Sequence, residues 1–174
     1  MAFLDPIACH DMAICDRRQS CAPNGQGAPL AAWHMLVAGT AVMTPDGPRP
    51  VEAIATGDSI ISADHGAQVV HDIRHDRMTR LSLIAAPRLT PVRIGAGALG
   101  PGLPDRTVWL HPGTPILTGS DAGRPRRAMD LVGDSDVMRV FPDQITFVAL
   151  RLPAASAIQA AGLWLGAQQD AFCL

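Results

Sequence analysis

Cysteine and histidine side chains could bind a metal or act as nucleophiles, and three of the four cysteines lie near the amino terminus. Cys9, Cys15 and Cys21 follow one another at intervals of six residues, with His10 beside the first. Three thiols and an imidazole are enough ligands for Zn²⁺, but the short Cys-x(2–4)-Cys spacing typical of small zinc sites is missing. We therefore expect reduced thiols that bind no metal. A zinc site, or a disulfide with Cys173 as the remaining candidate, is the open alternative.

Three further histidines, His65, His71 and His75, occur in the segment DHGAQVVHDIRHD. On a helix, His71 and His75 would share a face and could bind a metal ion. The surrounding residues favour a strand instead, on which the histidines are exposed polar positions. We expect no metal site here and no cofactor for the chain as a whole.

The residue inventory excludes several classes of catalytic site. All 14 basic residues are arginine, so the chain has neither a Schiff-base lysine nor the lysine of a phosphate-binding loop. Glu52 is the single glutamate, which excludes a pair of glutamates in acid–base catalysis. The Gly-x-Ser-x-Gly motif of many serine hydrolases does not occur.

Composition and charge restrict the partners of the chain. Its 174 residues are 48% hydrophobic and 17% charged, with a net charge of −2, which predicts one folded domain. No apolar run approaches the roughly 20 residues of a membrane-spanning helix, and basic residues cluster only in GRPRRA (123–128). We expect neither a membrane nor nucleic acid as a partner. No secretory signal is evident, so localisation stays open, with the cytoplasm as the default.

Short apolar runs separated by turn residues fill positions 33–119. Such runs, rich in β-branched residues and bounded by Gly, Pro and Asp, predict an all-β domain of many short strands. The predicted strands in this region lie in TAVMT, SIIS, QVVHDI, LSLIAA, PVRI, TVWL and PILT. Residues 128–174 contain two further predicted strands, in DVMRVF and TFVALRLP. The segment ASAIQAAGLWL could instead be a short helix, since alanine favours one.

The same pattern predicts the core and the boundaries of the domain. We expect a flexible arm over residues 1–32, a folded domain over 33–168 and a tail over 169–174. The side chains expected to be buried are those of Val42, Ile60, Ile61, Val92, Ile94, Leu110 and Ile116.

Three segments of the chain resemble one known family. They are GTAVMTPDGPRPVEAIATGDSIISADHGAQ, LTPVRIGAGALGPGLPDRTVWL and TFVALRLPAASAIQAAGLWLGA. In this order they resemble the Hint (Hedgehog/intein) domains, in their bacterial stand-alone branch, over about residues 33–168. The resemblance implies an all-β, pseudo-twofold fold. It also implies autocatalytic peptide cleavage or protein splicing, in which a leading cysteine attacks the preceding carbonyl and a histidine protonates the departing amide.

The positions that the family uses for this chemistry carry other residues here. The family's cysteine lies four residues before a Gly-Thr pair, Gly39-Thr40 in this chain, so its position falls on Met35, whose thioether has no proton to lose. The family's Ser/Thr-Pro-x-His segment reads HPGT, with His111 at the hydroxyl position and Thr114 at the histidine position. Because a misplacement of about 1 Å can already cost a hundredfold in rate, we expect His111 to be a partly exposed turn residue without a catalytic role.

The closing segment departs from the family as well. Ala155 stands where relatives carry a histidine, and Gly166 and Ala167 stand where they carry Glu-Ser. Splicing also needs a C-terminal asparagine, whereas Asn24, the single asparagine, lies upstream of the domain.

We therefore expect a Hint-like domain that has lost self-cleavage, is not an enzyme, and acts as a binding or structural module for a protein partner of unknown identity. Two alternatives stay open: residual self-cleavage through Thr40 or His111, and a metal-dependent protein built on the N-terminal cysteines. If only the fold is kept, Met35 should lie at the start of the first strand, at the mouth of the cleft and near Thr114.

Overall fold

The computed structural model describes residues 32–118 and 124–168. Within them, residues in strands far outnumber residues in helices, which confirms the predicted all-β class. The predicted arm, except for its last residue, and the predicted tail lie outside the described residues. The strands are β1 (Ala32–Val37), β2 (Ala41–Thr44), β3 (Gly47–Pro50), β4 (Ser59–Ser62), β5 (Gly66–Val69), β6 (Asp72–Thr79), β7 (Val92–Ile94), β8 (Val108–Leu110), β9 (Pro115–Leu117), β10 (Arg126–Arg127), β11 (Val137–Arg139), β12 (Gln144–Leu152), β13 (Ile158–Ala160) and β14 (Leu163–Leu165). One α-helix, α1 (Arg80–Ala85), and 3₁₀ turns at Val51–Ala53, Pro87–Leu89 and Ala128–Leu131 complete the regular structure of these residues.

The first sheet is antiparallel and has the strand order β11–β7–β8–β1–β12–β6. Its longest strand, β12, reads QITFVALRL and is buried along most of its length. It pairs with β1 from Ala32↔Leu152 to Val37↔Phe147, and on its other side with β6. A nearly continuous apolar run of this kind is typical of a strand covered on both faces.

The second sheet follows the order β10–β9–β14–β13–β2–β3, and β4 and β5 attach to it through β13. β13 and β14 form a hairpin whose connection, Ala161-Gly162, has positive φ angles of 50° and 75°. Two consecutive positive φ angles are typical of the type I′ turn, which matches the twist of the paired strands. The segment ASAIQAAGLWL therefore forms strands, and the alternative of a short helix was wrong.

Apolar side chains form two clusters on opposite faces of the first sheet, because successive residues of a strand point to opposite sides. Leu36 and Val148 belong to the larger cluster, which the side chains of both sheets form together. Met35 and Phe147 belong to a smaller cluster, to which Leu83 of α1 contributes. β1 is thus buried on both of its faces.

Most of the predicted core is confirmed. Ile61 is the exception and is only half-buried, whereas its neighbour Ile60 is fully buried. The remaining predicted core residues that are buried are Val42, Val92, Ile94, Leu110 and Ile116.

Two predicted strands were wrong in detail. The segment LSLIAA forms α1, because Thr79 caps the helix by accepting a hydrogen bond from the Ser82 N–H, and leucine and alanine favour helix. The segment QVVHDI is divided between β5 and β6, with the buried Val70 in the break. No helix among the described residues is long and apolar enough to cross a membrane.

The fold predicts unequal effects for two leucine-to-alanine changes. Leu150 of β12 is completely buried in the larger cluster, so Leu150→Ala should lower the free energy of unfolding by about 3 kcal/mol, through lost burial and a cavity. Leu81 on α1 is 78% exposed, and Leu81→Ala should change stability by less than about 0.5 kcal/mol. Urea unfolding measures both. Equal effects would contradict the assignment of β12 to the centre of the core.

Candidate functional site

Met35 lies inside β1, where it pairs with Ala149 of β12. Its side chain is 3% exposed and packs in the smaller apolar cluster. The expectation that Met35 starts the first strand at the mouth of a cleft was therefore wrong, because three strand residues precede it and its side chain is buried. A flexible thioether fills such a site well and offers no thiolate for an acyl shift.

Thr114 lies beside Met35, in the turn that leads into β9. Its Oγ1 donates a hydrogen bond of 3.1 Å to the Met35 carbonyl oxygen, and the side chain is buried. Its contact is with the carbonyl of residue 35, whereas an acyl shift at the preceding bond would act on the carbonyl of residue 34 and the amide nitrogen of residue 35. The turn is closed by the Thr114 N–H, which donates to the His111 carbonyl at 2.9 Å.

Gln168 completes this polar network, and the sequence analysis missed it. Its Nε2 donates to Thr114 Oγ1 at 3.0 Å, while its backbone N–H donates to the Trp33 carbonyl at 2.7 Å. The side chain is buried, so the last described residues close directly onto β1. Its position directly after the closing GLWLGA segment was the one available signal.

His111 is buried, and the expectation of a partly exposed turn histidine was wrong. The Gly113 N–H donates to His111 Nδ1 at 3.2 Å, which leaves the ring proton on Nε2 in the neutral form. The imidazole meets the Phe147 ring edge-on, with 5.3 Å between centroids. Burial lowers the pKa of His111 from 6.5 to about 4, so the ring is neutral at physiological pH.

His34 is a second buried imidazole. It is 1% exposed and, by the alternation of β1, lies on the same face as Leu36, toward the second sheet. Neither ring nitrogen has a hydrogen-bond partner of good geometry among the described residues. Burial lowers the pKa of His34 to about 4, and the nearby backbone of Leu165 and Gly166 offsets this lowering only in part.

The Gly39-Thr40 pair lies at the opposite end of β1 from Gln168. Gly39 has a φ angle of 90°, a conformation that favours glycine, and its N–H donates to Glu52 Oε2 at 2.7 Å. Thr40 is buried, and its backbone N–H donates to the Val37 carbonyl at 3.0 Å. The pair therefore forms the turn by which the chain leaves the first sheet for the second.

The altered positions of the closing segment flank the β13–β14 hairpin. Ala155 is exposed in the loop before β13. Gly166 follows β14 and donates its N–H to the Pro115 carbonyl at 2.7 Å, and a Cβ at this position would lie 3.1 Å from the Pro115 Cβ. A small residue at 166 therefore permits close packing against Pro115. Ala167 is half-buried beside it.

Three of the remaining histidines lie among the described residues, away from this buried network. His65, His71 and His75 are exposed. No group of three or more metal-ligating side chains converges among the described residues. The cysteines considered for zinc or a disulfide, and His10, lie outside the described residues.

Comparisons with known proteins agree on one class of fold. The model of the family described as the Hint domain matches residues 35–170. The structure is similar to the solution structure of a bacterial intein-like domain from Clostridium thermocellum, with a TM-score of 0.56, 14% identity, and 77% of this chain and 98% of that chain covered. It is also similar to the crystal structure of the MchDnaB-1 intein, with a TM-score of 0.51, 14% identity, and coverage of 76% and 99%. The gp41-1 intein gives a TM-score of 0.50, 11% identity, and coverage of 78% and 99%. A search of curated proteins gives no match.

These likenesses define the class as an all-β, intein-like fold of two antiparallel sheets. Since the family model matches most of the chain, the chain belongs to the Hint-domain family. The predicted family is thereby confirmed.

The two buried histidines predict a loss of stability in acid. The unfolded chain binds a proton on each near pH 6.5, the folded chain only near pH 4, so the unfolded state holds more protons between these values. Stability is therefore full above about pH 6.5 and falls as the pH drops toward 4, by about 3 kcal/mol per histidine. Urea unfolding of wild type, His34→Leu and, as an exposed control, His65→Gln measures the effect. The pH dependence of the unfolding free energy should weaken in His34→Leu and should not change in His65→Gln. An unchanged dependence in His34→Leu would contradict the prediction.

The buried network predicts that Thr114 and Gln168 act together on stability. Thr114→Val removes the donor to the Met35 carbonyl and the acceptor of the Gln168 amide, so it should cost about 1–3 kcal/mol. Thr107→Val, at an exposed position, should cost little. A double-mutant cycle with Gln168→Leu should give a coupling energy above about 0.5 kcal/mol. Additive effects would mean that the two side chains stabilise the fold independently.

Proposed function

We propose that this Hint domain does not cleave itself and serves as a binding or structural module. The observation that carries the proposal is the buried pair of Met35 and Thr114 at the positions where the family resemblance expects a cysteine and a histidine. A thioether cannot be deprotonated, so it cannot attack the carbonyl of residue 34 in the way a thiolate would.

The hydrogen bonds of Thr114 support the same conclusion. Its hydroxyl proton is directed to the Met35 carbonyl, and its oxygen accepts a hydrogen bond from Gln168. Both partners are buried neutral groups, so the hydroxyl has no base within this network that could remove its proton. It stabilises β1 and the end of the domain against each other.

The neighbouring histidines are poorly suited to replace the missing acid. With pKa values of about 4, His34 and His111 are protonated in only about one molecule in a thousand at pH 7. An amide nitrogen leaves slowly unless it is protonated as it departs. Desolvation thus disfavours the one charged form that could assist cleavage.

The proposal predicts a single full-length mass for the wild-type protein after long incubation with dithiothreitol. Met35→Cys and Thr114→His should each stay intact, since one lacks the acid and the other the nucleophile. The double variant should show slow, thiol-dependent cleavage between His34 and residue 35, because both groups are then present. Intact-mass spectrometry identifies the fragments, and Met43→Cys, which adds a thiol on β2, is the matched control.

Wild-type cleavage at this bond would overturn the proposal. Thr40→Val and His111→Phe would then show which of the two alternative groups supports the reaction. A double variant that stays intact would extend the loss of activity to the closing segment, where Ala155 and Gly166 provide no polar support.

A further inference from the structure

A cavity of about 460 Å³ lies at the end of β1 where the chain turns toward the second sheet. The turn residues Ala38, Gly39 and Thr40 line it, whereas Met35, Thr114 and Gln168 do not. The cavity is therefore separate from the buried network of these three residues. Its volume lies within the range of about 300–1,000 Å³ that is usual for sites of small molecules.

The cavity forms because two neighbouring strands separate. β1 and β8 share the single registered pair Leu36↔Leu110, after which β1 runs into the turn. On the other side of β1, the Ala38 N–H still donates to the Thr146 carbonyl at 2.9 Å, and Thr146 pairs with Arg77 of β6. By strand alternation Thr146 lies on the same face as Val148, so the cavity opens where the apolar interior between the sheets ends.

The inner lining of the cavity is apolar. Val108 of the first sheet and Ala161 of the second are both buried members of the larger apolar cluster, and both line the cavity. Apolar surface from both sheets is thus available to an apolar group that enters between them.

The rim of the cavity is cationic. Arg77 and Arg106 line it and are exposed, and no aspartate or glutamate is among the lining residues. Arg106 contacts Asp105 at 3.3 Å, an exposed pair of low energy, and no ion pair forms at Arg77 among the described residues. The other acidic groups close to lining residues in the chain are Asp76, the half-buried neighbour of Arg77 on β6, and Asp143, which precedes Gln144 and pairs with Arg80. Glu52 is hydrogen-bonded to the Gly39 N–H.

We propose that this cavity binds a small amphiphilic anion, whose carboxylate or phosphate head is held by Arg77 and Arg106 and whose short apolar body lies against Val108 and Ala161. Guanidinium groups bind both kinds of anion through charge-assisted hydrogen bonds. Thr40, Thr107 and Thr146 also line the cavity, and threonine hydroxyl groups are possible further donors. The inference deepens the proposed binding role by naming its ligand, and it uses none of the residues on which the loss of self-cleavage depends.

The test uses octanoate and octyl phosphate as probes, and octyl glucoside as an uncharged probe of the same chain length. Acetate and inorganic phosphate represent the anionic head groups without the alkyl chain. Titration calorimetry and amide NMR shifts on the full chain measure the binding. We expect an octyl anion to bind more tightly than its isolated head and than octyl glucoside. A preference between octanoate and octyl phosphate identifies which head the site favours.

Variants of the full chain locate the site. Arg77→Gln and Arg106→Gln should each weaken binding about tenfold, as expected for the loss of a charge-assisted hydrogen bond. Arg88→Gln removes the same charge from an exposed arginine that does not line the cavity, and it should leave binding unchanged. Ala38→Leu keeps both rim charges but fills the cavity from an exposed turn position, and it should abolish binding. Circular dichroism confirms that each variant is folded.

Several results would overturn the inference. They are equal binding of octyl glucoside, equal weakening by Arg88→Gln, unchanged binding in a folded Ala38→Leu, or no binding of either octyl anion at millimolar concentration. Because intact mass is measured separately, a cavity that binds anions in a protein that cleaves itself would refute only the proposed loss of cleavage. An intact protein that binds no anion would refute only this inference.

Discussion

Six consecutive residue pairs hold β1 against β12, and this pairing determines where the functional groups of the domain lie. It directs His34 and Leu36 toward the second sheet, and Met35 and Val37 toward the smaller apolar cluster. A shift of one residue would exchange the two faces and move the imidazole of His34 to the opposite side of the sheet. Burial on both faces makes such a shift costly, so the surroundings of Met35 are fixed by the whole length of the strand.

Buried polar groups also join β1 to the end of the domain, through a network of hydrogen bonds. A hydroxyl, a carbonyl oxygen and a side-chain amide that are all buried would each be destabilising if left without partners. Thr114 resolves this by donating to Met35 while accepting from Gln168, and Gln168 also donates its backbone N–H to Trp33. The groups that could take part in proton transfer are thus used to join the end of the domain to its first strand. Because these groups satisfy one another, the site is, by our proposal, chemically inert.

The sequence allowed the fold class, the family and most strands to be predicted, because apolar runs between turn residues and the order of three segments are local signals. The segment LSLIAA was misassigned because its helix depends on a cap at Thr79 and on the packing of Leu83, which apolar periodicity in so short a segment does not reveal. The burial of His111 and the role of Gln168 depend on contacts with Phe147 and Thr114, far away in the sequence. From the sequence, only the family resemblance predicted that Met35 and Thr114 lie close together. The resemblance did not show that the methionine lies inside the strand.

The Gly39-Thr40 turn connects the retained fold with the proposed binding site. Its geometry requires a positive φ at Gly39, and the single glutamate of the chain, Glu52, fixes the turn through the Gly39 N–H. The turn separates β1 from β8 and, with Arg77 and Arg106 at the rim, forms the open side of the cavity. A residue with a side chain at position 39 would be strained by this φ angle, although nothing lies within 4 Å of where its Cβ would be. The conformation at position 39 is thus a sufficient physical reason for this glycine, whether or not the domain cleaves itself.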